Sequence, residues 1–304
     1  MRTRAPRRRL LLALGMVFLA ASPTACGLWG GSASEDDLLP PPIVGPENGT
    51  LMLAGGGALG PEIWGLFVEL AGGPDARIVV IPTAGTDESY TADGPVVEAL
   101  LAAGAGQVDI LHTRDREEAD SRRFTRPIRR ATGIWMPGGR QWRLVDAYLH
   151  TRVHEELDAL LERGGVVGGT SAGASIQASY LVRGDPTTNQ VLIAEDYQEG
   201  FGFLEGVAVD QHLQARGRTN DLWELVALRP DLLGIGIDEG TALVVRGDQA
   251  QVIGTGSVML YDPELLQDRR LHELRAGEDE DLSGRSPRRT DAGDKDSSIP
   301  DAGR

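Results

Sequence analysis

Gly169-Thr170-Ser171-Ala172-Gly173 sets a serine between two glycines, directly after the apolar pair Val166-Val167 and Gly168. A serine becomes a nucleophile when a sharp strand-to-helix turn holds its hydroxyl above the sheet, and such a turn tolerates only small neighbours. Free N–H groups at the start of the next helix then face the oxyanion formed on attack. "VVGG" reads as the strand and "SAGASIQASYL" as the opening of the helix. A five-residue match is weak by itself, so the serine needs a base and the base an orienting acid.

Of five histidines, His112, His150, His154 and His272 fall mid-domain, on helical stretches or near the tail. His212 instead closes the strand-like run "VAVDQH" and projects from a strand end, which makes it the base on position. Four acids could orient it. Asp210 shares its strand but could clamp substrate instead; Glu239 ends the next strand in "GIGIDEGTA"; Asp185 and Glu195 lie between Ser171 and His212. An α/β-hydrolase runs Ser, acid, His and carries a Gly-rich oxyanion segment headed by histidine. Here the best-placed acid follows the histidine, and no such segment occurs.

Two further motifs point elsewhere. Gly55-Gly56-Gly57-Ala58-Leu59-Gly60 fits the dinucleotide pattern G-x-G-x-x-G. A ribose would need an acid at the end of the next strand, and that strand ends in Pro82-Thr83. The run reads instead as a close backbone approach at the floor of a site, and no cofactor is expected. His150 and His154 have the spacing of two metal ligands on one helix face, but a third ligand is missing, so a solvated face is expected and no metal.

These groups need a scaffold that brings strand ends together. Short apolar runs ("TLMLA", "RIVVIP", "VDIL", "GIWMP", "VVGG") alternate with amphipathic stretches, among them "QWRLVDAYLHTRVHEELDALLERGG" with a break near Thr151. The pattern predicts an α/β fold: a mostly parallel sheet flanked by helices, with its site at the carboxyl ends of the strands. The last runs, "LLGIGIDEGTALVVRG" and "AQVIGTGSVMLY", lack intervening helices and predict an antiparallel edge.

The chain has 304 residues and a formal charge of −15, which argues against a nucleic-acid partner. "MRTRAPRRR", the apolar run from Leu10 and "SPTAC" form an export signal over 1–26. Cys26, the only cysteine, stands where a lipoprotein carries its lipid, although Pro23 replaces the usual aliphatic residue. The expectation is a membrane-tethered protein on the periplasmic face or cell surface, or a secreted one if Cys26 is not lipidated. Residues 27–48 read as a flexible linker, 49–268 as the catalytic domain, and 269–304 as a disordered polar tail.

"GGTSAGASI", "VAVDQHLQARGR", "LLGIGIDEGTALVV" and "IWMPGGRQWRL" together resemble the cyanophycinases and the related aspartyl dipeptidases of the peptidase E type. The resemblance spans 49 to about 261 and implies a class-I-glutaminase-like (flavodoxin-like) fold with a Ser-His-Glu triad. Carried over, Ser171 is the nucleophile, His212 the base and Glu239 its acid. The N–H groups of Gly139 and Ala172 form the oxyanion hole, and Gln141, Asp210, Gln211, Arg216 and Arg218 line the substrate pocket. It also implies a peptide substrate, cyanophycin or β-aspartyl peptides, and a homodimer. Two positions depart from the pattern: Arg140 stands where an anion is common, and Asp221 where the third arginine of a run would fall. An esterase or amidase using the same site, or a lipid-tethered binding protein on this scaffold, are the competing expectations.

Overall fold

The computed structural model describes residues 44–283 and 285. The expected signal with Cys26, most of the linker and the end of the tail lie outside these residues.

Five strands make the parallel part of the larger sheet: β1 (Thr50–Ala54), β2 (Arg77–Val80), β3 (Gln107–Ile110), β4 (Gly133–Met136) and β5 (Val166–Thr170). They lie in the order β1-β5-β4-β2-β3. All five residues of β1 and the first four of β5 are buried, as parallel strands covered on both faces must be. Helices α1 (Pro61–Leu70), α2 (Pro95–Ala102), α3 (Arg116–Ala119), α4 (Arg126–Arg130), α5 (Trp142–Tyr148) and α6 (Arg152–Glu162) connect them. Proline stands in the first turn of α1, α2 and α4, where its missing N–H costs nothing. The break near Thr151 falls between α5 and α6, with His150 at φ 59°.

After β5 comes a single short turn of helix, α7 (Ala172–Ser175), and then β6 (Ala178–Tyr180). The predicted helix through Leu181 therefore ends early. β6, β7 (Leu204–Gln211) and β8 (Leu233–Ile237) run parallel in a second sheet, with α8 (Asp221–Leu228) between β7 and β8. The chain returns to the first sheet as β9 (Thr241–Arg246) and β10 (Gln249–Gly254), antiparallel beside β1, and to the second as β11 (Ser257–Tyr261). The α/β class is as expected, but the strands divide between two sheets. Apolar alternation shows that β8 through β11 are strands; it does not show which neighbour each one pairs with. Leu51, Leu53 and Val167 of one sheet and Val207, Val209, Ile235 and Ile237 of the other share one core.

The folded region also exceeds the predicted 49–268. Val44 is buried, and its carbonyl accepts from Glu205 N–H. β12 (His272–Arg275) adds to β11 and β13 (Asp279–Asp281) to β10. Only Leu274 and Leu282 of this stretch are buried apolar residues, so its polar composition reads as a tail although its backbone completes two sheet edges.

Candidate active site

β5 lies between β1 and β4, and Ser171 stands directly beyond its carboxyl end. Its backbone is forced into φ 54°, ψ −113°. Its N–H donates to Ala54 O on β1, and its own carbonyl accepts from Ala174 and Ser175 N–H. The flanking glycines make this turn sterically possible: a Cβ on Gly169 would meet Gly173 O at 2.3 Å, and one on Gly173 would meet Met136 O at 1.9 Å. Non-glycine residues in such strained conformations cost on the order of 1–3 kcal/mol each and persist where the surroundings over-determine them.

His212, one residue past β7, also has a positive φ of 56°. Its N–H donates to Gly55 O, which ties the second sheet to the end of β1. The ring nitrogen Nε2 lies 3.0 Å from Ser171 Oγ, and Nδ1 lies 2.5 Å from Glu239 Oε1. A proton on Nδ1, donated to the carboxylate, leaves Nε2 free to accept from the serine hydroxyl. Ser171 Oγ also reaches Gln211 Oε1 at 3.4 Å, but its single proton has the shorter path to His212. Burial lowers the His212 pKa, with Arg216 and Arg218 acting the same way, against the raising influence of Glu239. The imidazole is thus neutral near pH 7, as a base must be.

Glu239, and neither Asp185 nor Glu195, bonds His212. Asp185 caps its own loop by accepting from Thr187 and Thr188 N–H, and Glu195 is exposed. Glu239 sits in the turn between β8 and β9, anchored where Gly240 N–H donates to Gly56 O. The glycine run after β1 is therefore the floor of the site. A Cβ on Gly56 would stand 2.2 Å from His212 Cε1, and one on Gly57 2.8 Å from Glu239 Oε2.

Gly138 approaches the serine so closely that a Cβ there would lie 3.2 Å from Ser171 Cβ. Gly139, at φ 149°, packs against the Ala84 carbonyl, and Arg140 N–H donates to that carbonyl at 2.8 Å. Ala172 is the first residue of α7, where N–H groups lack intrahelical acceptors. These are the positions expected to supply an oxyanion hole.

The predicted pocket residues divide sharply. Asp210 is fully buried and held by Arg183, whose Nε lies 2.9 and 3.1 Å from its two oxygens and whose NH2 lies 2.8 Å away. Arg183 NH2 also donates to Asp221 Oδ2 at 2.5 Å, and NH1 to the Asn189 and Gln190 carbonyls. Burial opposes the Arg183 charge, yet these carboxylates keep its pKa above the ordinary guanidinium value. Arg218, 3% exposed, lies 3.5 Å from Asp210 and donates to Gln211 O and Asn189 O. Burial first, then Arg183 and Arg216, draw its pKa down to about 10, against the opposing pull of Asp210. Gln141 is buried, with its amide donating to Val182 O. Gln211 is also buried, whereas Arg216 is exposed.

Sequence reading missed Arg183, which lies in no motif. Its left-handed φ of 56° is the one local sign of special placement. Arg140 donates to the Asp185 and Thr188 carbonyls. The other histidines are engaged elsewhere: His112 with Thr83 Oγ1 at 2.8 Å, His150 with Glu199 at 3.0 Å, His154 with Phe201 O at 2.8 Å and His272 with Glu280 at 3.1 Å. His150 and His154 do not share a helix, since His150 lies in the break before α6.

Comparisons with known proteins show the family. The model of peptidase family S51 matches residues 51–253. A cyanophycinase of Trichormus variabilis is 36% identical over 210 residues, covering 67% of this chain and 69% of that protein. A cyanophycinase of Geminocystis herdmanii is 34% identical over 212 residues, covering 68% and 77%. The crystal structure of a peptidase from an acI-B1 Actinobacterium superposes with a TM-score of 0.59 at 26% identity, covering 79% of this chain and 97% of that one. With a family match over most of the described domain and cyanophycinases among its relatives, the chain belongs to peptidase family S51 and is a serine-type peptidase.

Proposed function

We propose that Ser171, His212 and Glu239 hydrolyse a peptide bond adjoining an aspartate-type residue, with cyanophycin or β-aspartyl peptides as substrates. The observation that supports this reading most is the unbroken relay from Ser171 Oγ to His212 Nε2 at 3.0 Å and from Nδ1 to Glu239 at 2.5 Å. In this scheme Oγ attacks the carbonyl carbon while its proton passes to Nε2. The Gly139 and Ala172 N–H groups receive the oxyanion, and His212 returns the proton to the leaving amine. Water then attacks the acyl-enzyme with His212 again as base. Glu239 holds the imidazole in the required tautomer and offsets its charge as it becomes an imidazolium.

Relatives named cyanophycinase support the substrate class, as does Arg216, an exposed cation four residues past the base that can meet a carboxylate. Asp221, where the related pattern has an arginine, is paired with Arg183, and this departure bears on how the substrate is recognised. Purified protein incubated with cyanophycin and with matched α- and β-aspartyl dipeptides tests this. Cleavage of β-aspartyl linkages is expected; cleavage of simple esters with every peptide left intact would overturn the substrate reading.

Export and attachment through Cys26 belong to the same proposal, supported by the basic, apolar and small-residue order of the first 26 residues. Metabolic labelling with a fatty acid should mark the wild type and not Cys26→Ala. An unlabelled wild type would end the lipoprotein reading.

A further inference from the structure

The other end of the larger sheet holds a second concentration of arginines. Arg77 and Gln107 are the first residues of β2 and β3 and pair in register. Ser171, by contrast, follows the last residue of the parallel strand β5, so the two regions occupy opposite ends of the strands. A cavity of about 390 Å³ opens here between the strands, the turn at Arg123 and α4. Its walls include Arg77, Arg123, Arg126 and Arg130, with Asp109 and Gln107 on the strand side. Arg126 and Arg130, four residues apart, share one face of α4, and Arg123 joins them from the turn before it.

Among the described residues none of these four guanidinium groups is in an ion pair or hydrogen bond. Their neighbours are: Arg129 bonds Glu156 at 2.9 Å, and Arg163 donates to the Ile128 and Ala131 carbonyls. Asp109, the one carboxylate in the cavity wall, already accepts from Gln107 at 2.7 Å. Like charges at this spacing repel, and a chain of net charge −15 has acids to place beside them, yet the cavity keeps a surplus of cations. Guanidinium forks match the paired oxygens of phosphate and carboxylate groups. The volume lies near the low end of small-ligand pockets, roughly 300–1,000 Å³. The acidic remainder of the chain disfavours an extended polyanion.

We infer that this cavity binds a compact oxyanion of two or more charges, a phosphate or a polycarboxylate, at a site separate from the serine. Titration calorimetry on the full chain with pyrophosphate and with citrate, each against chloride at equal ionic strength, tests it. Saturable binding of at least one is expected, and the stronger of the two identifies the oxyanion class. Arg126→Gln/Arg130→Gln should weaken it at least tenfold, and Arg77→Gln, on the opposite wall, should weaken it as well. Arg122→Gln, outside the cavity, should bind like the wild type. Melting midpoints in chloride show that each variant is folded, and labelling of Ser171 by a fluorophosphonate should proceed at the wild-type rate in all of them. Failure of both anions to saturate, or equal binding by the double variant and the wild type, would overturn the inference.

Discussion

The two arginine groups of this protein live under opposite rules. Beside the serine, Arg183 and Arg218 are 1% and 3% exposed, and both face the fully buried Asp210, with Asp221 completing the set. At the amino ends of β2 and β3, the cavity arginines are exposed and have no carboxylate partner among the described residues. The difference follows from solvation. A buried charge must be paired because an unpaired one costs several kcal/mol, whereas water carries an exposed one at little cost. Paired, buried arginines therefore fix the shape of a pocket, and solvated ones remain available to a ligand. Arg216 belongs to the second kind although it stands beside the first.

Breaking the buried network should have the largest effect on stability. Arg183→Met leaves Asp210 with the Gln211 N–H and the longer Arg218 contact, and removes the guanidinium donor from the Gln190 carbonyl. Removing one partner of a buried pair costs about 3–5 kcal/mol, measurable by urea denaturation. Gly56→Ala should come next. Its Cβ would overlap the His212 ring, and a displaced base costs about 10²-fold in kcat/KM. The fold should survive, which separates this variant from Arg183→Met.

Arg216→Gln sharpens the contrast within the site. A protonated His212 cannot accept the serine proton, so activity falls as pH drops through its pKa. That pKa is lowered chiefly by burial, so the acid limb should lie below the ordinary imidazole value of about 6.5. Arg216 also lowers it, so Arg216→Gln should move the limb toward higher pH and raise KM for carboxylate-bearing peptides. A pH–rate profile checks both. The smallest effect belongs to the cavity: Arg126→Gln/Arg130→Gln should change stability in chloride by no more than about 0.5 kcal/mol.

The juxtaposition of Ser171, His212 and Glu239 was legible because each one stands just past an apolar run that reads as a strand, with small residues around Ser171 and Gly240 after Glu239. The glycine run at 55–57 was legible as a floor for the same reason. Arg183 was not legible, since its partners Asp210 and Asp221 lie 27 and 38 residues away and only the second sheet brings them together. From sequence, Asp221 reads as a lost arginine; in the structure it is one half of an ion pair. β12 and β13 stayed hidden because an edge strand with a single buried apolar residue, Leu274, and another made only of acids have no alternation to read.

The central claim is that Ser171 is the nucleophile of a peptidase. The most direct test pairs fluorophosphonate labelling, read by peptide mass mapping, with peptide hydrolysis by wild type and Ser171→Ala. The account predicts a single adduct on Ser171 and a loss of kcat on the order of 10⁶-fold in the variant. Peptide cleavage by Ser171→Ala at the wild-type rate would contradict it.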